Sequence, residues 1–327
     1  MEGIGKKGTN QGYCKVEVYY SSLSMENFPL VSVTVITYCS ASTVISTLES
    51  IKHQTYPNIE LIISDDCSRD STVTLCQEWI SANRDRFVRV KLITSEINTG
   101  TSANINRAIK ECTGIFRKSI AGDDLLEPNC ILSNVEYIGD ADACYSDLIF
   151  FDEAGLIEYH SDVPILMALA TLPTRKRLKL YCQTMVFCNV PTWFVRMNIY
   201  EKIGLYDESS TILEDVPFLV KFFSSDLKVK YLQNVTVRYR SGGVSHDPKK
   251  RTKMQHLLSD AYIKYCKPNI IVENFSDVLL LVDRKFWTLI AKHEYDFLLR
   301  LYLSKYNFVT SLISNLLRKR YIGYINN

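Results

Sequence analysis

From Val31 to Ala121 the sequence alternates between short β-branched, aliphatic runs and stretches with apolar residues at helical spacing. VSVTVIT, IELIIS at residues 59–64, and residues 88–94 and 115–121 read as strands. Residues 42–53, 71–83 and 102–112 read as the helices between them, with Asp70 placed to cap the second. Strands that are apolar at nearly every position are buried on both faces, which requires helices on both sides of the sheet. The alternation therefore predicts βαβ units around a Rossmann-like, mostly parallel central sheet flanked by helices, an α/β fold.

After Pro128 the pattern changes. Residues 143–151 and 156–159 read as shorter strands, and residues 174–181 as a basic helix. Helices at 197–203 and 214–224 follow, then two strands at 229–232 and 235–239, before Gly242 and Gly243 break the pattern. Residues 246–327 are helical in periodicity and carry 14 Lys and Arg against 7 Asp and Glu. Three regions are expected: a flexible leader over 1–28, a main domain over 29–245, and a basic helical C-terminal extension over 246–327.

Composition narrows the class. The 327 residues are 46% hydrophobic, too apolar for a disordered chain, and the net charge of +2 offers no basis for a nucleic-acid partner. The ten cysteines form no C-x-x-C, and a core of this size needs no disulfides, so reduced thiols in a cytoplasmic protein are expected. The sequons at Asn234 and Asn274 are then unmodified. No stretch reaches the ~18 apolar residues of a membrane span, and the start lacks a signal peptide's apolar segment.

Ligands of doubly wound sheets bind at the carboxyl ends of the strands. Asp65 and Asp66 follow IELIIS, and Asp123 and Asp124 follow RKSIAG. A single loop pair is common on any surface; two pairs at strand ends of one sheet point to a shared site. Four carboxylates repel an anionic ligand unless a hard cation such as Mg²⁺ or Mn²⁺ intervenes, which makes a metal-bridged diphosphate a coherent ligand. Asp66 is alternatively placed to accept hydrogen bonds from a base or ribose. A third pair, Glu214 and Asp215, opens EDVPFLVKFF, where helix capping and a chemical role both remain open. There is no G-x-G-x-x-G after the first strand, no P-loop and no nucleophile elbow.

Taken in order, these segments resemble glycosyltransferase family 2, the inverting enzymes with a GT-A fold. The likeness runs through VSVTVITYCSASTVISTLESIKHQTYPNIELIISDDCSRDST, NTGTSANINRAI, IAGDDLLEP, VRMNIYEKIGLYDES, ILEDVPFLVKF and VTVRYRSGGVS. The resemblance implies that Thr37, Tyr38, Asp65, Asp66 and Asp123 bind the donor nucleotide. It implies that Asp124, with Asp123, holds Mn²⁺ or Mg²⁺ bridging the diphosphate. Asp215 would be the general base toward the acceptor hydroxyl, with Glu214 beside it. Trp193 either stacks on an acceptor sugar or packs in the core. The implied reaction moves one sugar from a nucleotide-sugar, expected to be UDP-linked, to a glycan or polyprenyl-diphosphate-linked acceptor in bacterial surface polysaccharide synthesis, in the manner of O-antigen and capsule transferases.

The chain departs from the family's pattern at Cys39, which replaces the usual Asn, at Ile105, which replaces a frequent Arg, and at Ala121 in place of an acid. The closing segment has Ser241 and Gly242 where a His is frequent. Toward the C-terminus, Phe297, Leu298, Leu301, Leu312, Ile313, Leu316 and Leu317 give an apolar helical face ahead of Arg318, Lys319 and Arg320. Such a face fits peripheral attachment to the cytoplasmic side of the inner membrane, and equally a helix docked on its own domain. The competing functional reading is a catalytically inactive GT-A-like module that binds nucleotide or a membrane surface. A sugar-nucleotide pyrophosphorylase is a further rival, but it calls for a Gly-rich basic first loop that TYCSAST is not.

Overall fold

The computed structural model describes residues 28–292, apart from residues 153, 156, 161, 187, 211–212, 242–250 and 274. Among the described residues nine strands build one sheet: β1 (Val31–Thr37), β2 (Ile59–Asp65), β3 (Arg89–Thr94), β4 (Phe116–Ala121), β5 (Leu125–Leu126), β6 (Ala143–Phe151), β7 (Ile157–His160), β8 (Phe194–Arg196) and β9 (Val229–Arg240). Their order is β3-β2-β1-β4-β8-β6-β9-β5, with β7 paired to β6. The long pairings, β2–β3, β1–β2, β1–β4 and β6–β9, are parallel; those of β8, β5 and β7 are short and antiparallel. The fold class is thus the expected mixed α/β sheet flanked by helices.

Alternate residues of β1 feed different layers. Val31, Val33 and Val35 join a core with α1 (Val44–Lys52), α2 (Thr72–Asn83) and α4 (Cys130–Ile138). On the other face α3 (Thr101–Ile109), α5 (Val163–Thr171), α6 (Thr174–Thr184), α7 (Ile199–Ile203) and α8 (Asp215–Ser224) close a second, more aromatic core. Asp70 accepts the N–H of Thr72 at the start of α2, although Ser71 occupies the capping position itself.

One element differs from the sequence reading, and two, α5 and β8, have no counterpart in it. The two strands expected around residues 229–239 are one, β9: Ser146 pairs with Leu232 and Asp147 with Val235, so exposed Gln233 and Asn234 form a bulge, not a turn. The apolar run containing Pro164 is helix α5, with the proline in its first turn, where a missing N–H costs nothing. Strand β8 is only three residues long, too short for alternation to reveal.

Two C-terminal helices, α9 (Arg251–Ala261) and α10 (Phe275–Lys292), pack on this second core through Ala261, Leu280 and Trp287. A buried ion pair fixes α10 to α6: Lys179 donates to Asp277 at 2.7 Å, and Gln183 donates to the same carboxylate at 2.8 Å. Lys179 also reaches Glu273 at 2.8 Å. Val278, Leu279, Val282 and Leu289 on α10 remain exposed. The apolar positions from Phe297 onward and the leader up to residue 27 lie outside the described residues. Phe28 packs edge-on against Tyr56, with ring centroids 5.3 Å apart. Among the described residues no helix is long and apolar enough to cross a membrane, and the nine described cysteines are all free.

Burial alone would raise the Asp277 carboxyl, but hydrogen bonds from Lys179, the Glu273 N–H and Gln183 outweigh it and hold it down to about 2. A group depressed in the folded state stabilises above its unfolded value near ~4, and that stabilisation disappears as pH falls toward the folded value. Protection of α10 amides, relative to their intrinsic exchange rates, should therefore fall between about pH 4 and pH 2 ahead of protection in β1. Replacing Lys179→Met leaves the buried carboxylate without its cation and should destabilise the protein by about 3–5 kcal/mol in urea unfolding. An unchanged midpoint would mean that the pair does not hold the helix.

Candidate active site

Parallel register sets the strand ends level. Thr37 of β1 lies opposite Asp65 of β2, and Ile36 opposite Ala121 of β4, so three loops leave the sheet side by side. Two of them turn through left-handed residues, Cys39 (φ 51°) and Cys67 (φ 66°). Such backbone is costly for most side chains and collects at functional loops. An Asn at the first position would tolerate this conformation better than cysteine does.

The first acidic pair is tied up by its own chain. Asp65 accepts Thr37 Oγ1 at 2.7 Å and both the N–H and hydroxyl of Ser68, whose Oγ in turn accepts the Cys39 N–H. Asp66 accepts the N–H and hydroxyl of Thr99, the Gly100 N–H at 2.7 Å and Arg107 Nη2 at 2.9 Å. The two carboxylates therefore brace the loops and the start of α3, while the neighbouring Tyr38 is half exposed.

The second pair is held differently. Gly122 packs so tightly on β1 that an added Cβ would lie 2.9 Å from Thr37 Cγ2, and this close approach sets the turn bearing Asp123 and Asp124. Asp124 is buried and accepts the Arg240 N–H at 2.8 Å; Arg240 Nε donates to the Asp123 carbonyl at 2.9 Å. Neither carboxylate forms an ion pair among the described residues. Burial raises the Asp123 carboxyl, and burial together with Asp123 pushes Asp124 well above the carboxylate range. Two oxygen-donor groups that resist ionisation together suit a hard divalent ion that takes one or two protein carboxylates and completes its shell with phosphate and water. Among the described residues no group of three or more His, Cys, Asp or Glu side chains is placed to hold a metal.

Asp124 opens onto a cavity of about 230 Å³ that Glu214, Asp215 and Trp193 also line. Asp215 begins α8 and accepts the Val216 N–H at 2.9 Å. Burial raises both acids of this pair; with Asp215 beside it, Glu214 is pushed up to about 8. Trp193 lies largely in the core, with Tyr145 stacked at 5.5 Å, Phe222 edge-on at 5.0 Å and its N–H given to the Cys188 carbonyl. Thr37, Tyr38, Asp65 and Asp66 stand at the ends of β1 and β2, and Asp123 in the turn beside Asp124; none of the five lines this cavity.

Three residues of the site were not singled out from the sequence. Arg240 ends the quoted VTVRYR segment but carried no signal of its own. Tyr206 stacks on Phe218 with centroids 4.4 Å apart and forms part of the cavity wall. Arg117 was legible as an anomaly, a basic residue in a strand that should be apolar, and it too lines the cavity.

The model of the family described as glycosyl transferase family 2 matches residues 32–204, more than half of the chain. The chain belongs to that family. This glycosyltransferase is 25% identical over 246 residues to EpsE of Bacillus subtilis (strain 168), named as a glycosyltransferase, covering 74% of this chain and 82% of that one. Its fold resembles that of S. aureus TarS 1–349 in complex with UDP, with a TM-score of 0.52 and 18% identity over 79% of this chain and 72% of that one. It also resembles the mannosyltransferase PcManGT from Pyrobaculum calidifontis in complex with GDP-Man and Mn²⁺, with a TM-score of 0.53 and 15% identity over 90% and 83% of the two chains. Such neighbours are GT-A glycosyltransferases, so the sheet seen here is a GT-A fold.

Because Cys39 is left-handed and exposed, Cys39→Gly should stabilise this glycosyltransferase by about 1 kcal/mol, the scale of the penalty for an L side chain there. Urea unfolding of the two proteins checks it; a destabilised variant would show that the thiol makes a contact worth more than the strain.

Proposed function

We propose that this glycosyltransferase moves one sugar, with inversion, from a UDP-linked donor to a hydroxyl of a glycan or polyprenyl-diphosphate-linked saccharide in surface polysaccharide assembly. The observation that carries the reading is the convergence of Asp124 and the Glu214–Asp215 pair on one sugar-sized cavity, where burial raises the proton affinity of all three and none forms a salt bridge among the described residues. The neighbours bound to UDP, and to GDP-Man with Mn²⁺, support a nucleotide donor and a divalent ion.

The nucleoside lies against half-exposed Tyr38 and the loops that Asp65, Asp66 and Thr37 brace. Asp123 and Asp124 would hold Mn²⁺ or Mg²⁺, which when bound offsets the charge of the departing diphosphate. Asp215 takes the proton of the acceptor hydroxyl as its oxygen bonds to the anomeric carbon and the bond to the diphosphate breaks. A single displacement from the opposite face inverts the carbon and needs no protein nucleophile. Trp193 and Phe218 close the cavity wall and exclude water, and Trp193 offers the acceptor sugar an aromatic edge. The free thiols suit a reducing, cytoplasmic setting, where nucleotide-sugars and the inner face of the membrane are both at hand.

Calorimetry with UDP and GDP, with and without Mn²⁺, tests the donor site. Metal-dependent binding of UDP that Asp124→Asn loses is the expected result; a folded protein that binds neither nucleotide would sink the reading. Asp215→Asn should lower turnover by about 10²–10⁴-fold, the contribution of a positioned base.

The pH dependence follows from the second pair. Asp215 must be ionised to act, so turnover should fall on the acid side as it takes up a proton. Above about pH 8 Glu214 ionises as well, and a second negative charge in the cavity repels the donor diphosphate. The donor KM should therefore rise there in the wild type, and Glu214→Gln should remove that alkaline rise while keeping the acid limb. Identical alkaline limbs in the two proteins would show that Glu214 does not carry the proton.

A further inference from the structure

Arg117 is a buried cation with no carboxylate in a salt bridge to it among the described residues. It sits in β4 and shares a strand face with Ser119, both turned toward the cavity that Asp215 borders. Its Nε donates to Thr34 Oγ1 at 3.1 Å, Nη1 to Tyr200 Oη at 2.7 Å and Nη2 to Ser119 Oγ at 2.9 Å. The Tyr206 hydroxyl also bonds to it. All of these partners are hydroxyls, and burial raises the Tyr200 and Tyr206 phenols, so both stay neutral. Among the described residues no carboxylate pairs with the guanidinium.

Lys118 and Arg177, also buried, donate hydrogen bonds to the carbonyls of Pro191 and Ser225, whereas two bases elsewhere have carboxylates. Lys179 has Asp277, and Arg107 has Asp66. Glu214 and Asp215 border the same cavity, yet burial keeps the proton affinity of both high, and Asp215 adds to it for Glu214. An arginine does not shed its charge, and an uncompensated charge among apolar walls is costly. A carboxylate reaching the guanidinium would take a charge-assisted hydrogen bond from it in place of one of the neutral hydroxyls.

The cavity decides what carries that carboxylate. At about 230 Å³ it is smaller than the roughly 300–1,000 Å³ pockets that take larger ligands, and fits one sugar ring. Apolar Ile36, Ile105 and Leu219 suit the C–H faces of a pyranose.

We propose that this cavity selects a sugar bearing a carboxylate, a uronic acid or a related acidic sugar, and that Arg117 is the residue that recognises it. The proposal rests on the glycosyl-transfer reading, and either the transferred sugar or the acceptor sugar supplies the acid.

The test compares matched pairs by calorimetry on the full chain with Mn²⁺, with UDP alone as the reference. The donor arm uses UDP-glucuronic acid against UDP-glucose and UDP-galacturonic acid against UDP-galactose. The acceptor arm uses methyl glucuronide and methyl galacturonide against the neutral methyl glycosides, with UDP present. The acidic member of at least one pair should bind about 10- to 100-fold tighter, the scale of a charge-assisted pair, and the arm in which this happens identifies the source. Arg117→Gln should erase the difference, and Arg117→Lys should keep part of it. Should both variants fail to fold, the acid-against-neutral comparison in the wild type decides alone. Equal binding within every pair, by a protein that binds UDP, would overturn the acidic-sugar proposal and leave the transferase reading standing. Absence of UDP binding would overturn both.

Discussion

A charge withdrawn from water has to be balanced, and much of this structure follows from where the chain does so itself. Glu60, wholly buried in β2, accepts hydrogen bonds from Ser32, Thr113, Gly114 and Arg89 at the end of the strand opposite the site loops. Asp66 gathers Thr99, Gly100 and Arg107; Asp277 takes Lys179 and Gln183. Around one cavity several charged groups of both signs lack such a partner. Asp124, Glu214, Asp215 and Arg117 all border it, and none has an oppositely charged partner at hydrogen-bond distance among the described residues. Charges left open together in this way are matched by something that arrives from outside, which is why they mark a site better than burial or shape alone.

The parallel half of the fold was legible because its physics is local. β1 is β-branched at most positions and β2 is largely aliphatic because both faces are covered, and each run is followed by helical spacing. The antiparallel half was harder to read. β8 has three residues and takes its identity from its neighbours, and the polar pair Gln233 and Asn234 looks like a turn until β6 is placed beside it. Propensity gives way to tertiary context at both places.

The site was legible in part for the same reason. The Asp pairs announce themselves by standing at strand ends, and Asp215 by opening a helix. That Asp66 braces a loop was invisible, since its partners Thr99 and Arg107 lie 33 and 41 residues away along the chain. So was the link from Arg240 to Asp123 and Asp124, which spans more than a hundred residues and depends on β9 running its full length. Arg117 was a visible oddity whose meaning needed the cavity.

The pairing of Lys179 with Asp277 has a consequence for how such a chain is inherited. The residues matched by the family stop at 204, whereas Asp277 lies on α10 and neutralises a lysine buried in α6, between two segments of the catalytic fold. A recombination event that exchanged everything after β9 for the tail of another family member would strand that lysine inside the protein unless the incoming sequence brought an acid to the same spot. The C-terminal helices and the domain they sit on are thus expected to diverge as one unit, with Lys179 and Asp277 changing together or not at all.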